Sequence, residues 1–158
     1  TIEEEDTLGT LHDKLKKIGA KGLEKAINLI ESGKVIAEKQ DESLVTFVKP
    51  ISKEQEVIDW SDTKENIYNK IRGLNPFPGA LSYYDDQIIK VYLSEKIDKE
   101  YDGEYGEIVE ILNKKGPVVK VKNGGIILKE VKFQGKKSQS GIDIINGRKI
   151  ILNSKFGK

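Results

Sequence analysis

The sequence predicts a mainly β protein with α-helices, in which a small β-barrel is flanked by helices. Three observations support this fold class. Five short segments between residues 80 and 133 alternate apolar and polar side chains, which is the period of a half-buried strand. Turn-forming residues separate these segments at short intervals, as is typical of a small barrel. Two segments before residue 75 repeat apolar residues every three or four positions, which is the period of an amphipathic helix.

The first helix is predicted over residues 7–32. Thr7 suits its N-cap, and Gly33 suits the position just beyond its end. Its apolar stripe comprises Leu8, Leu11, Leu15, Ile18, Gly22, Ala26 and Ile30, and it is widened by Leu23 and Ile27. Gly19 and Gly22 each cost about 1 kcal/mol relative to alanine. We therefore expect packing of the stripe against another surface to hold this helix.

Residues 34–58 are predicted to be an ordered linker between two bodies. Residues 35–36 and 44–48 indicate short extended segments, and Pro50 ends the second of them. A connection of about 25 residues with little regular structure is long for a single domain. This length favours a crossing from one body to another.

A second helix over residues 63–73 is predicted to lead into a rigid corner. Ser61 or Asp62 would cap it, and Asp62 with Glu65 has the spacing of a capping box. Its buried stripe comprises Ile67, Ile71 and Leu74. The corner is residues 72–80, where two prolines and a glycine can neither continue a helix nor lie in a central strand. We expect the corner to be a scaffold feature without chemistry of its own.

Five strands follow the corner. They are predicted over residues 80–84, 87–97, 108–112, 118–122 and 126–133. Asp85 and Asp86 form a two-residue hairpin turn between the first two. A short helix capped by Ser138 or Ser140 comes next, and residues 148–152 are predicted to form a last strand.

The composition excludes several kinds of chemistry. The chain has no cysteine, which excludes disulfides, thiolate zinc sites and cysteine nucleophiles, and a reducing cytoplasm is the expected location. The single histidine, His12, is predicted on the polar side of the first helix, where the sequence offers it no partner base or nucleophile. No metal site and no membrane span are expected. We expect a monomer.

Charge is distributed unevenly along the chain although the net charge is +1. Residues 113–158 hold twelve bases and two acids, a net charge of +10, so residues 1–112 carry −9. Such asymmetry is typical of a polyanion-binding surface, although a solvated lysine-rich surface stays an alternative. Lys129 and Lys132 lie on opposite faces of the predicted strand over residues 126–133, so the sequence leaves open which lysines converge.

Several motifs, in order along nearly the whole chain, point to one known family. The two strongest are Ile58-Asp59-Trp60 and Asn75-Pro76-Phe77-Pro78-Gly79 with Arg72 before it. The others lie at residues 11–15, 33, 40–43, 50–54, 135–137 and 146–148. On these motifs the chain resembles the C-terminal portion of the methionyl-tRNA formyltransferase family, within the formyltransferase superfamily.

The resemblance implies a two-part enzyme. A Rossmann-like N-terminal domain would transfer a formyl group from 10-formyltetrahydrofolate to the methionine amino group of initiator tRNA. A C-terminal oligonucleotide-binding-like β-barrel would help to hold the tRNA. Residues 1–33 would then be the terminal helix of the catalytic domain, 34–58 the interdomain linker and 59–158 the barrel domain. No residue here matches the family's catalytic asparagine, histidine and aspartate, so this piece is expected to be inactive alone and to hold no cofactor.

The expected partners are initiator methionyl-tRNA and the N-terminal catalytic domain. The tRNA-binding candidates are Lys53, Arg72, Lys129, Lys132, Lys136, Lys137, Arg148 and Lys149. An alternative is the C-terminal domain of a sugar formyltransferase, or of a formyltetrahydrofolate hydrolase or dehydrogenase, without tRNA binding. The basic segment favours tRNA. A scaffold domain that only packs against its catalytic partner stays a third possibility.

Overall fold

The computed structural model, which describes residues 1–157, shows an antiparallel sheet with flanking helices. The helical elements are α1 (Leu8–Glu31), a 3-10 turn (Glu42–Leu44), α2 (Lys53–Glu56), α3 (Lys64–Gly73) and α4 (Gly141–Asn146). The strands are β1 (Ala80–Tyr84), β2 (Gln87–Ile97), β3 (Ile108–Leu112), β4 (Gly116–Val121), β5 (Gly124–Phe133) and β6 (Gln139–Ser140). This confirms the predicted mainly β class with flanking helices.

Helix α1 has the predicted ends but buries none of its side chains. Thr7 accepts a hydrogen bond from the Thr10 amide at 3.2 Å, and the Thr10 hydroxyl accepts one from the Thr7 amide at 2.9 Å. Gly33 closes the helix with φ +65°. Its apolar stripe stays open: Leu15, Ile18, Leu23, Ile27 and Ile30 are 46–65% exposed. The packing that was expected to hold the helix is therefore not provided by the described residues.

Only the start of α1 rests on the corner. The Gly9 amide donates to the Asn75 carbonyl at 2.9 Å. A Cβ atom on Gly9 would lie 2.8 Å from Cδ of Pro76, closer than such atoms approach in proteins. A glycine is thus required where the helix and the proline ring touch.

The segment before α1 is tied to α3 by hydrogen bonds. The Arg72 guanidinium donates to the carbonyls of Asp6 at 2.9 Å and Glu3 at 3.2 Å. The Tyr68 hydroxyl donates to the Glu4 carbonyl at 3.3 Å. These contacts fix the entry of the chain relative to the sheet.

The Asp6 carboxylate completes this anchor and is buried. Lys14 Nζ donates to it at 2.6 Å, the Glu3 amide at 2.9 Å and the Thr10 hydroxyl at 2.9 Å. The Lys14 hydrogen bond is the largest of the effects that lower the Asp6 pKa to about 2. The carboxylate is therefore ionised at neutral pH, and its hydrogen bonds hold the start of α1 in place.

Residues 34–58 contain two short helical elements that were not predicted. The predicted extended segment over residues 44–48 begins at Val45, because Leu44 ends a 3-10 turn; the Asp41 carboxylate accepts from the Ser43 amide at 2.9 Å and starts this turn. Ser52 and Gln55 form a capping box that starts the unpredicted helix α2. In both places local side-chain hydrogen bonds outweigh the β propensity of the neighbouring residues.

Helix α3 is capped by Thr63, not by Ser61 or Asp62 as predicted. The Thr63 hydroxyl accepts from the Asn66 amide at 3.3 Å. The Asp62 carboxylate instead accepts from the Thr63 amide at 2.7 Å and from the Asn66 side chain at 2.9 Å. The predicted stripe of Ile67, Ile71 and Leu74 is buried.

The sheet has the strand order β1-β2-β5-β4-β3, and β6 pairs with β5. The β1–β2 hairpin turns at Asp85 and Asp86, whose φ angles are +51° and +59°, as the predicted two-residue turn requires. Strand β4 begins at Gly116 and β5 at Gly124, each two residues before the predicted start, and β6 was not predicted. Closure into a barrel stays a prediction.

The predicted last strand over residues 148–152 is absent from the described residues. Arg148 has φ +51°, so the chain turns there instead of extending. Lys155 and Phe156 form the later bridges, to Glu107 and Tyr84. The Phe156 ring lies 5.4 Å from Trp60 and 5.0 Å from Tyr84, between centroids, and closes the core.

Candidate nucleic-acid interface

Internal contacts distinguish the basic residues after position 112. Lys120 donates to the Tyr101 carbonyl and Lys149 to Gln139, and three other lysines form ion pairs. Lys129 lies 3.7 Å from the Glu95 carboxylate, Lys115 also pairs with Glu95, and Lys155 pairs with Glu104. A second group makes no side-chain hydrogen bond or ion pair within residues 1–157: Lys114, Lys122, Lys132, Lys136, Lys137 and Arg148. Only the second group is available to a polyanion without breaking an internal contact.

Several acids of β3 and of the loop before it, residues 98–107, have internal partners. Glu110 accepts from Lys99 at 2.8 Å and from the Tyr101 hydroxyl at 2.6 Å, and these bonds lower its pKa. Burial, followed by the bond to Glu110, raises the pKa of Tyr101. The hydrogen bond from Lys155 lowers the pKa of Glu104. Asp98 pairs with Lys64 at 3.0 Å, and Glu107 accepts from the Glu104 amide at 2.8 Å, so these loop carboxylates also hold partners.

Strand pairing places Lys132 on an open surface of the sheet. Its neighbours Val131 and Phe133 are buried, so the Lys132 side chain is directed outward. Lys90 lies directly opposite on β2. The Lys90 ammonium donates to the Pro78 carbonyl and lies 3.8 Å from the Glu56 carboxylate. Lys132 is therefore the free cation of this cross-strand pair.

A cleft of about 410 Å³ opens beside Lys132, between the sheet and the corner. It is lined by Pro76, Phe77, Pro78, Ile88, Lys90, Tyr92, Lys132, Phe133 and Gln134. We call it the corner cleft. Its walls are largely apolar, and its two lysines are cationic.

The corner wall is fixed to the sheet by hydrogen bonds. The Asn75 amide side chain donates to the Tyr92 carbonyl at 2.8 Å, and the Gly79 amide donates to the Leu74 carbonyl at 2.8 Å. Gly79 has φ +84°, and a Cβ there would lie 2.8 Å from the Tyr92 ring. The peptide bonds before Pro76 and Pro78 are cis.

A second recess of about 200 Å³ shares Phe133 with the corner cleft. Lys136 and Lys149 line it together with Tyr84, Asp85 and Gln87. The Lys149 ammonium donates to Gln139 at 2.5 Å and lies 5.8 Å from the centroid of the Phe133 ring.

Three of the predicted candidates line recesses that share Phe133: Lys132 lines the corner cleft, and Lys136 and Lys149 line the second recess. Lys137 and Arg148 are exposed and adjoin Lys136 and Lys149 in the chain. We call these five residues the basic face. Glu130 is the nearest acid along β5, and its carboxylate accepts from the Ser138 hydroxyl at 2.5 Å. The face can offer several cations to phosphates at once.

The other three candidates lie elsewhere. Lys129 is paired with Glu95 beside a recess that also contains Glu4 and Glu5. The Arg72 guanidinium is occupied by backbone carbonyls of the segment before α1. Lys53 is exposed on α2 and does not line the corner cleft or the second recess.

Sequence reasoning missed Lys90, Tyr92 and Phe77 as parts of this site. Lys90 and Tyr92 enter because β2 pairs with β5, which the sequence does not reveal. One sequence signal could have identified Phe77 as a site residue. It is an aromatic residue between two prolines, which restrict the backbone that carries its ring.

Within residues 1–157 no three His, Cys, Asp or Glu side chains lie close enough to hold a metal ion. Over the same residues no helix has the length and apolar character needed to cross a bilayer.

Comparison with known protein families shows which family the chain belongs to. The family described as "Formyl transferase, C-terminal domain" matches residues 50–149. That range includes the corner and all five residues of the basic face.

Curated relatives match almost the whole chain. A protein named methionyl-tRNA formyltransferase from Fusobacterium nucleatum is 48% identical over 156 residues, which is 98% of this chain and 50% of that protein. Proteins of the same name from Bacillus cytotoxicus and Bacillus subtilis are each 41% identical over 99% of this chain, which is 50% and 49% of their lengths. The chain thus spans about half the length of these relatives.

Solved structures share the fold at low identity. The crystal structure of HypX from Aquifex aeolicus in complex with tetrahydrofolic acid covers 84% of this chain with a TM-score of 0.66 and 15% identity, over 23% of the HypX chain. A variant of HypX covers 83% with the same TM-score. At this identity the likeness supports the fold alone.

Proposed function

Because the chain belongs to the family of formyl transferase C-terminal domains, we propose that it is the tRNA-binding part of a methionyl-tRNA formyltransferase. The whole enzyme would transfer a formyl group from 10-formyltetrahydrofolate to the amino group of methionyl initiator tRNA, in translation initiation in the bacterial cytoplasm. The relatives of that name, which match this chain over nearly its full length, support the proposal. The chemistry and the folate would belong to an upstream domain, and this chain would act as a monomer.

The basic face is the observation on which the tRNA-binding role rests. Lys132, Lys136, Lys137 and Arg148 have no internal anionic partner within residues 1–157, so binding phosphate costs them no existing ion pair. Contacts to phosphates give affinity and orientation without reading base sequence. Held in this way, the acceptor end of the tRNA would meet the formyl donor in a nearly unimolecular step.

We further propose the division of the chain into residues 1–33, which complete the catalytic domain, a linker over 34–58 and the sheet domain over 59–158. The support is the unburied apolar stripe of α1, which would pack against the upstream domain. Ile18 is 65% exposed, so Ile18→Asp should leave the unfolding midpoint of this chain unchanged. In the whole enzyme the same substitution should be strongly destabilising, and equal stability of the two whole enzymes would contradict the division.

The tRNA-binding role is tested by measuring the affinity for initiator tRNA over a series of salt concentrations. Wild type should show a steep loss of affinity with salt. Lys136→Gln with Lys137→Gln should lower the slope of log affinity against log salt by about 2, one for each phosphate contact. The matched control is Lys16→Gln with Lys17→Gln, an exposed pair on α1 with the same charge change, which should leave the slope unaltered.

Two results would contradict the proposal. One is an affinity that does not depend on salt, and the other is an equal effect of both double variants. A chain that binds no tRNA at low salt would fit the alternative of a sugar formyltransferase or a formyltetrahydrofolate hydrolase or dehydrogenase.

A further inference from the structure

We propose that the corner cleft binds one unpaired RNA nucleotide, with its base stacked on Phe77 and its phosphate between Lys132 and Lys136. This inference rests on the proposed tRNA-binding function and adds which part of an RNA the cleft accepts. It gives the corner a binding role, whereas the sequence indicated a scaffold without chemistry.

The exposure of Phe77 is the first observation. Its side chain is 78% exposed, the highest value among the large hydrophobic residues described after position 58. Burying a phenylalanine side chain is favourable by about 1.5–3 kcal/mol of free energy, and an exposed ring forgoes this stabilisation. An exposed ring at the mouth of a cleft is therefore a surface that a ligand can cover.

The corner presents this ring at little entropic cost. Prolines on both sides of Phe77 fix their own φ angles, and the Pro78 carbonyl is held by the Lys90 ammonium. The Asn75 side chain ties the start of the corner to β2 at 2.8 Å. A ring held on a fixed backbone loses less conformational freedom on binding than a ring on a mobile loop.

The chemistry of the cleft selects the ligand. Its apolar lining of Pro76, Ile88 and Tyr92 suits a flat ring, and the free ammonium of Lys132 lies in the same cleft. Lys136, beyond the shared Phe133, adds a second free ammonium. A flat aromatic ring that carries anions is the chemistry of a nucleotide.

The arrangement favours an unpaired nucleotide over an RNA duplex. Bases in a duplex are stacked on each other, and proteins meet such a helix through its phosphates and 2′-hydroxyls. Unpaired bases can instead be splayed out and stacked on aromatic side chains. The apolar wall and the exposed ring have nothing to contact on the sugar-phosphate backbone of an RNA duplex. The cations of the basic face can bind the phosphates of either a duplex or a single strand.

The test compares two probes, a single-stranded RNA of about 10 nucleotides and a blunt duplex of the same sequence. Phe77→Ala should weaken single-strand binding about 5- to 150-fold, the loss of one stacked base, and should leave duplex binding unchanged. Phe77→Trp should retain the single-strand affinity. The control is Phe47→Ala, since Phe47 is a phenylalanine that is 94% exposed far along the chain from the cleft.

A second readout locates the base. A single strand carrying 5-iodouracil should photocrosslink to Phe77, with the site mapped by mass spectrometry. Phe77→Ala that leaves single-strand binding unchanged, or weakens both probes equally, would overturn the inference, as would a crosslink confined to other residues. If the Phe77 prediction fails in one of these ways but Lys136→Gln with Lys137→Gln still weakens the binding of both probes, the proposed function stands. The corner would then make another contact, such as one with a protein surface. If wild type binds neither probe and no tRNA, both proposals fail.

Discussion

Replacing Gly9 with alanine tests whether the start of α1 is anchored on the corner. The new methyl group would lie 2.8 Å from Pro76 Cδ, well inside the ordinary contact distance. The Gly9 amide also donates to the Asn75 carbonyl at 2.9 Å. The methyl group and this hydrogen bond cannot both be accommodated unless the helix start moves away from the corner.

The expected effect is local because α1 buries no side chain. A lost backbone hydrogen bond is worth about 0.5–1.5 kcal/mol, which lowers the protection of the residue-9 amide roughly two- to tenfold. The assay is native-state hydrogen exchange, corrected for intrinsic rates. Gly19→Ala is the matched control, because nothing lies within 4 Å of a Cβ there. It should stabilise the helix by about 1 kcal/mol and slow exchange along α1.

The reasoning would be refuted if Gly9→Ala kept the protection of wild type at residue 9 and slowed exchange along α1 as much as Gly19→Ala. That result would mean that the helix start does not touch the corner in solution. The hydrogen bonds from Arg72 and Tyr68 to the segment before α1 would then have to hold the entry of the chain.

Phe156→Ala should lower the free energy of unfolding by about 3–5 kcal/mol, because the side chain is 1% exposed in the core. Urea unfolding followed by tryptophan fluorescence measures this free energy. A decrease below about 1 kcal/mol would contradict the core described. The pKa of Asp6 is lowered from 3.8 to about 2, mainly by Lys14, so its stabilising contribution is present above pH 3.8 and is lost as pH falls through 2. A carboxyl-carbon NMR titration should give a midpoint near 2, and a midpoint near 3.8 would disprove the anchor. Gly141→Ala should destabilise the fold, because the added Cβ would lie 2.2 Å from a backbone oxygen of β5. Gly73→Ala is the control and should not destabilise it, because nothing lies within 4 Å of a Cβ there. Equal melting temperatures of the two variants would contradict the packing of α4 described.

Elements with strong local signals could be predicted from the sequence. The bounds of β1, β2 and β3 follow from alternation between clear turn residues, and they match the structure. The start of β4 was missed because Pro117 argued against a strand. In the structure β5 pairs with β4 only from Val118 onward, so Pro117 has no β5 ladder bond to lose.

The end of the chain could not be predicted for a different reason. Residues 150–152 are all apolar, which favoured a strand, yet Ile150 is buried whereas Ile151 and Leu152 are half exposed. The positive φ of Arg148 sets this path, and an arginine, unlike a glycine, asparagine or aspartate, gives no sequence signal for such a conformation.

The candidate site was predictable in composition but not in arrangement. The net charge after position 112 indicated a polyanion surface, and Lys132, Lys136 and Lys149 were among the candidates. Their convergence around Phe133 depends on how β5 pairs with β2, which is a long-range property. The separation of Lys129 from them likewise depends on its tertiary partner, Glu95.

The most direct test of the basic face is an amide chemical-shift map of the 158-residue chain with initiator tRNA. We expect the largest shifts at Phe77 and at residues 132–137 and 147–149, which belong to the corner cleft and the basic face. We also expect added salt to remove these shifts. Shifts confined to the acidic loop at residues 98–107 or to α1, or no shifts at low salt, would contradict this expectation.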